Sequence, residues 1–291
     1  MSRTEQHCAC NHPELVRLPV HGLTLEVDTS GLVPAPGPAL ACRELVDQDM
    51  HIYIDGNLTE SGDGLSPETA VKSYEDAVLA LSRYDGRNTH HAHFHFADLE
   101  DQDATYPDIT LYAQSYAGFL SLTLAGASYR TTNLGEINVL TGGYAFLTDL
   151  CSSYVMCHGW LDIYGKVALK TRASKKAAFC SYWGGQIRFL AASEVFLYPG
   201  KYSAVIFCVC GTALTAGPMN FHALGAIDVE TAFVRARGNA AVWFNQGVGF
   251  LECAAVSGRK YMLSEQSFLY SNGASLPGSV AGEAKNGSIY V

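Results

Sequence analysis

Charge is scarce in this chain: 16% of its 291 residues are charged, against 48% apolar. So little charge argues against a disordered, self-repelling polymer and for a well-buried interior. Cations are scarcer still, with 19 Lys and Arg against 28 Asp and Glu and a net charge of −9. No basic run interrupts that pattern, so a groove that tracks nucleic-acid phosphates is not expected. No run of about 18 apolar residues is present, and no membrane-spanning helix is expected. Met1 to His7 are not followed by an apolar core, so no secretory signal is read there. There is no Ser-His-Asp order, no phosphate loop and no His-Glu-X-X-His zinc motif. Helical periodicity is almost absent too, which points to an all-β chain.

The nine cysteines form an odd set without the density of a disulfide scaffold. They are Cys8, Cys10, Cys42, Cys151, Cys157, Cys180, Cys208, Cys210 and Cys253. Most lie in apolar, strand-like surroundings such as Phe207-Cys208-Val209-Cys210. They read as reduced, small core residues of a protein assembled in the cytoplasm.

The most informative stretch runs from His51 to Leu81. A short strand at Ile52 to Ile54 leads into a loop carrying Gly56, Gly62, Gly64 and Pro67, and then into one amphipathic helix. Ser73 stands where an N-cap belongs, with Asp76 at the capping-box spacing, and Tyr74, Ala77, Val78 and Leu81 share a face. The segments Ile52-Tyr-Ile-Asp-Gly56, Gly62-Asp-Gly-Leu-Ser-Pro-Glu-Thr-Ala70 and Ala77-Val-Leu-Ala-Leu81 resemble the opening of right-handed parallel β-helix domains of the pectin-lyase-like kind. In phage tail fibres and tailspikes such an opening caps the first coil of a solenoid. At the far end, Gly258 to Tyr261, Leu276 to Gly282 and Gly287 to Tyr290 resemble the closing segment of phage tail-fibre proteins.

Between those ends short strands recur, broken by Gly, Asn or charged corners. They are read at Ala97 to Tyr106, Ile109 to Tyr112 and Gly118 to Gly126, and then in close succession from Glu136 to Tyr270. Coils of roughly 20 to 27 residues fit the solenoid range, and each coil must stack on neighbours to bury its inward row. A β-sandwich or jelly roll competes on strand spacing alone. The opening motif favours a right-handed parallel β-helix with one N-terminal capping helix. The expected organisation is an N-terminal attachment arm over 1–48, the β-helix over 49–275 and a closing segment over 276–291. Within the arm, Leu23 to Val27 reads as a strand, Pro34 to Pro38 as an extended spacer and Arg43 to Gln48 as helix-compatible. His7, Cys8, Cys10 and His12 could ligate zinc, but their crowding lacks the usual two-residue gap, which favours an incidental cluster.

Candidate chemistry falls in three places. On a strand through Thr89 to Phe96, His91, His93 and His95 share one face and Ala92, Phe94 and Phe96 the other. A three-fold assembly could gather that histidine row around a transition metal, and the resemblance supports this because trimeric phage fibres carry His-X-His metal rings. A polar face turned to solvent is the simpler reading, and no other cofactor is expected. Asp228 and Glu230 lie two apart and would project together at about 7 Å, a spacing compatible with an inverting glycosidase pair. The alternative is an ion pair with Arg235 and Arg237, read as lying on the next strand. Trp160, Tyr182, Trp183 and Trp243 are the candidate sugar-stacking rings, unless they pack inside the solenoid.

Taken with the resemblance, these features imply a phage tail fibre or tailspike component that attaches the virion to a host glycan or receptor. It would be assembled in the host cytoplasm as a homotrimer and joined to other tail or baseplate proteins through its arm. A polysaccharide-degrading tailspike, hydrolase or lyase, is the first alternative. An architectural baseplate or head protein without receptor contact is the second.

Overall fold

The computed structural model describes residues 43–112, 117–171 and 176–291, together with the backbone of two N-terminal strands. Those two strands, Leu15–Val20 and Leu23–Asp28, form an antiparallel hairpin in which Leu18 pairs with Leu25. The hairpin belongs to a compact unit over Met1–Glu44. The expected strand at Leu23 to Val27 is therefore present, while Cys8, Cys10, Cys42, the zinc candidates and the proline spacer lie outside the described residues.

The second unit, Leu45–Val291, is a parallel β-solenoid, as the sequence leads one to expect. Its first sheet contains ten parallel strands, from Met50–Ile54 at one end to Ile289–Tyr290 at the other. A second, thirteen-stranded sheet wraps the remaining sides. It turns a corner through long strands such as Leu150–Cys157, whose first half pairs with Lys166–Leu169 and whose second half pairs with Phe179–Tyr182. Three outward faces result, called here first, second and third in the order the chain visits them.

Alternation of side chains along each strand makes the core. In the first sheet Leu161, Ile187, Ala213, Val242 and Leu269 are stacked by register and all are buried. Phe94, Leu124, Leu147, Ile163 and Phe189 form the neighbouring inward row, also buried. Edge-on ring contacts such as Phe179 to Phe189 at 5.1 Å and Phe189 to Phe221 at 5.4 Å tie one coil to the next. Each such side chain contributes about 1.5–3 kcal/mol by leaving water, and no coil can achieve this without a neighbour.

One position at each of three successive corners leaves no room for a side chain. Gly159, Gly185 and Gly211 each immediately precede a first-sheet strand in successive coils. A Cβ there would lie 2.5 Å from Gly143 O, 2.2 Å from Cys157 O and 2.4 Å from Ser181 Oγ. The repeat is thus written in small residues at the corner as well as apolar ones on the strands.

The front end is closed by α1 (Tyr74–Leu81), with Ser73 as N-cap accepting from Asp76 N–H at 3.1 Å. Ala77, Ala80 and Leu81 are buried beside Ile52 and Ile54, and Tyr74 meets Phe94 edge-on at 5.9 Å. Two local expectations fail. Ala97 to Tyr106 is not a strand: Asp98 accepts from the hydroxyls of Thr131 and Thr132, Asp101 Oδ1 takes the N–H of Asp103, and only Tyr106 bridges to Leu134. Short acidic side chains there divert the backbone from a ladder. Arg43 to Gln48 is not a helix either, because Val46 N–H donates to Asp85 O at 3.1 Å instead of to its own preceding turn. At the other end Glu283–Ala284 and Ile289–Tyr290 each add a parallel strand, so the closing segment extends both sheets.

Of the described cysteines, Cys151, Cys157, Cys180, Cys208 and Cys253 are buried, while Cys210 is exposed at a corner with φ 51°. Burial pushes the Cys157 thiol up to about 12, which makes it unreactive.

Candidate functional site

The chemistry lies on the outsides of the sheets. One outward row of the first sheet runs by register from His51 and His93, through Asp162 and Arg188, to Trp243 and Tyr270. Its character changes along the solenoid.

At the capped end it is a histidine cluster. His91, His93 and His95 face out while Ala92, Phe94 and Phe96 are buried, the alternation expected from the sequence. Parallel pairing sets His51 beside His93 and Tyr53 beside His95. His51 stacks on His93 at 4.8 Å and on His95 at 5.2 Å, and Tyr53 stacks on His95 at 4.9 Å. His51 Nδ1 and His95 Nε2 share a hydrogen bond of 2.9 Å, so at least one ring is neutral. Asp49 accepts from the backbone N–H of His91 at 2.7 Å and lies 3.8 Å from the side chains of both His90 and His93. Burial holds His93 below the ordinary imidazole value and pushes His95 down to about 4, with neighbouring imidazoles adding to both effects. Among the described residues no three His, Cys, Asp or Glu side chains converge as a metal site. A pocket of about 210 Å³ lies beside the cluster, between Asp49, His91, His93, Phe146 and Tyr164.

The middle of the face is an ion pair under aromatic cover. Asp162 is 1% exposed although it points away from the core. Arg188 grips both its oxygens, Nε to Oδ1 at 2.6 Å and Nη2 to Oδ2, and Tyr144 donates to Oδ2 at 3.0 Å. Trp160 lies 5.2 Å below the guanidinium and 5.9 Å from Tyr144, yet remains 45% exposed. At the far end Trp243, 46% exposed, is flanked by Phe268 at 5.4 Å and Tyr270 at 6.2 Å. A groove of about 420 Å³ beside it is lined by Thr212, Leu214, Trp243 and Asn245. Uncovered rings with polar neighbours offer what a sugar face requires: apolar area beside hydrogen-bonding groups.

The other two candidate rings lie elsewhere. Trp183 is at the corner after the third face, 70% exposed, at φ 50°. Tyr182 precedes it, half-buried between His158 and Phe207. The structure therefore divides the four candidates, placing Trp160 and Trp243 on the first face and Tyr182 and Trp183 together at the third.

Asp228 and Glu230 project together and exposed, as their spacing suggests. Ser257 Oγ donates to Asp228 Oδ1 at 3.0 Å. Arg235 and Arg237 prove to be on the same strand, Ile227–Arg237, and not on the next. Strand rise separates Arg235 from Glu230 by up to about 16 Å, and neither carboxylate lies within ion-pair distance of either arginine, so the alternative of an ion pair does not hold. The two arginines instead lie over the Phe207 ring, at 4.7 and 5.7 Å.

No family model, no curated protein and no solved structure matches the chain. Its surface chemistry has to be read from its own side chains. Sequence reasoning missed His51, Tyr53 and Asp49 in the histidine cluster and Arg188 in the buried ion pair. His51 and Tyr53 show the same alternation as His91 to His95, but only the strand register sets one pair against the other.

Proposed function

We propose that this chain is a structural, receptor-facing component of a phage tail fibre or tailspike, whose solenoid presents rings to a host-surface glycan. The observation that carries this reading is the outer side of the first sheet, where Trp160 and Trp243 stay about half exposed on a rigid parallel scaffold. Rigid sheets suit this task because the rings lose little freedom on binding. The capped solenoid agrees with the resemblance from which virion attachment and a homotrimer are inferred. In that assembly the histidine row of one copy would meet those of two others, which is how a transition metal would find enough donors.

Two measurements test the proposal. On an array of bacterial surface polysaccharides the full-length chain should bind a subset of glycans, and the paired change Trp160→Ala with Trp243→Ala should weaken that binding at least tenfold without altering the β-sheet circular dichroism. Absence of binding to any polysaccharide, or binding indifferent to both tryptophans, rejects the glycan reading. A monomeric mass by sedimentation at micromolar concentration rejects the trimer.

A further inference from the structure

The outward side of the third face holds an arrangement that exposed tryptophans do not explain. Arg235 and Arg237 lie two apart on one strand, with register setting Arg235 beside Phe207 and Arg237 beside Val209. Both guanidiniums lie over the Phe207 ring, Tyr182 stands edge-on to that ring at 5.8 Å, and His158 stacks on Tyr182 at 5.6 Å. Among the described residues neither arginine has a carboxylate within ion-pair distance. Glu136, Asp162, Glu194 and Glu283 are engaged by Lys176, Arg188, Lys166 and Arg259. Asp228 and Glu230 lie too far along the strand to reach.

Two like charges, each half-buried and side by side, repel one another and lose hydration. Burial, together with the charge of Arg237, accordingly holds Arg235 below the ordinary guanidinium value. In a chain with net charge −9, acidic partners are plentiful, yet among the described residues none lies within ion-pair distance of either arginine, although Glu265 is nearby, its Oε2 3.7 Å from where a Cβ on Gly238 would stand. A guanidinium used only to cover a ring needs no second cation beside it. Paired guanidiniums are, however, the usual means of holding the planar oxygens of a carboxylate or the oxygens of a phosphate.

We infer that Phe207, Arg235 and Arg237, braced by Tyr182, form a subsite for an oxyanion carried on a sugar ring, the anion held by the two guanidiniums and the ring set against the adjacent, exposed Trp183. This deepens the glycan reading and rests on it for the sugar, while charge complementarity selects the acidic class. Asp162 with Arg188 on the first face has no such role, because there the cation is already neutralised.

Calorimetric titration of the full chain tests the inference with four probes: an oligouronate, a sugar phosphate, a neutral oligosaccharide and inorganic phosphate. One of the two acidic saccharides should bind at least tenfold more tightly than the neutral one, and which of them does so identifies the anion. The double variant Arg235→Gln, Arg237→Gln should abolish that preference and melt at or above the parent temperature, since it relieves repulsion. A preference that survives in the double variant overturns the inference. So does a double variant that melts well below the parent, which would make the arginines structural. Inorganic phosphate binding as tightly as the sugar phosphate reduces the site to an anion site and overturns the sugar half. Acidic and neutral saccharides bound equally well by the parent, with neither changed in the double variant, sink this inference while leaving the glycan reading intact.

Discussion

Two arginine settings on the outside of this solenoid differ in how their charge is met. On the first face Arg188 lies over Trp160 and closes on Asp162; on the third face Arg235 and Arg237 lie over Phe207 and, among the described residues, close on no carboxylate. Both settings lay guanidinium over an aromatic ring, one cation on Trp160 and two on Phe207, but only the first has a carboxylate. The first setting is internally complete, so its worth is structural. The second is incomplete, so it costs stability and finds its compensation in a ligand. Exterior polar groups of a β-solenoid can therefore be sorted by asking which are already satisfied.

The largest effect expected from this contrast is at Asp162. Replacing it with Ala leaves Arg188 facing Tyr144 and Trp160 without its counter-charge, and should cost about 1.5–3 kcal/mol in urea unfolding. The double change Asp162→Asn, Arg188→Met should recover much of the loss; a single variant with unchanged stability would mean the pair is screened by water and the contrast fails.

Next comes the histidine cluster, where charge is avoided and not paired. His95 is depressed from 6.5 to about 4. A lowered imidazole value means the unfolded chain binds the proton more readily than the folded one, so the contribution is fully present above pH 6.5 and is lost as pH falls from there towards 4. Melting temperature should fall over that window, and His95→Gln should flatten the fall. A melting curve independent of pH across the window would remove the cluster from the comparison.

Smaller still is the effect of Arg235→Gln with Arg237→Gln on stability, expected to be zero or slightly favourable, within about 0.5 kcal/mol of the parent in urea unfolding. The smallest is at Asp228→Asn. An exposed carboxylate with one hydroxyl partner should change stability by less than about 0.5 kcal/mol. In the structural reading the variant keeps full glycan binding, whereas loss of reducing-end release would mark an enzyme.

Much of the fold was legible in the residues. The apolar alternation at Ala92, Phe94 and Phe96, the cap at Ser73 and the strand at Thr212–Thr215 follow from period and capping chemistry. Errors occurred where side chains compete with the ladder, as at Asp98 and Asp101, and where one long strand bends across a corner. Ile227–Arg237 is such a strand: two short segments were expected, and merging them moved Arg235 and Arg237 away from Asp228 and Glu230. Among the site residues the outward direction of the histidines was readable, but the neighbours were not. Alternation tells which side of a strand a residue takes, and is silent about what the next coil brings beside it.

The sequence by itself determined that this chain is β-rich, that its coils need one another, and that a single helix closes the front, because period, corner glycines and capping are local properties. Tertiary structure alone decided that His51 joins His93 and His95, that Asp162 is sealed by Arg188, and that Arg235 and Arg237 meet no carboxylate among the described residues. The physical reason is register: in a parallel stack each outward neighbour comes from a different coil, and the length of the turn between them sets which residue arrives there.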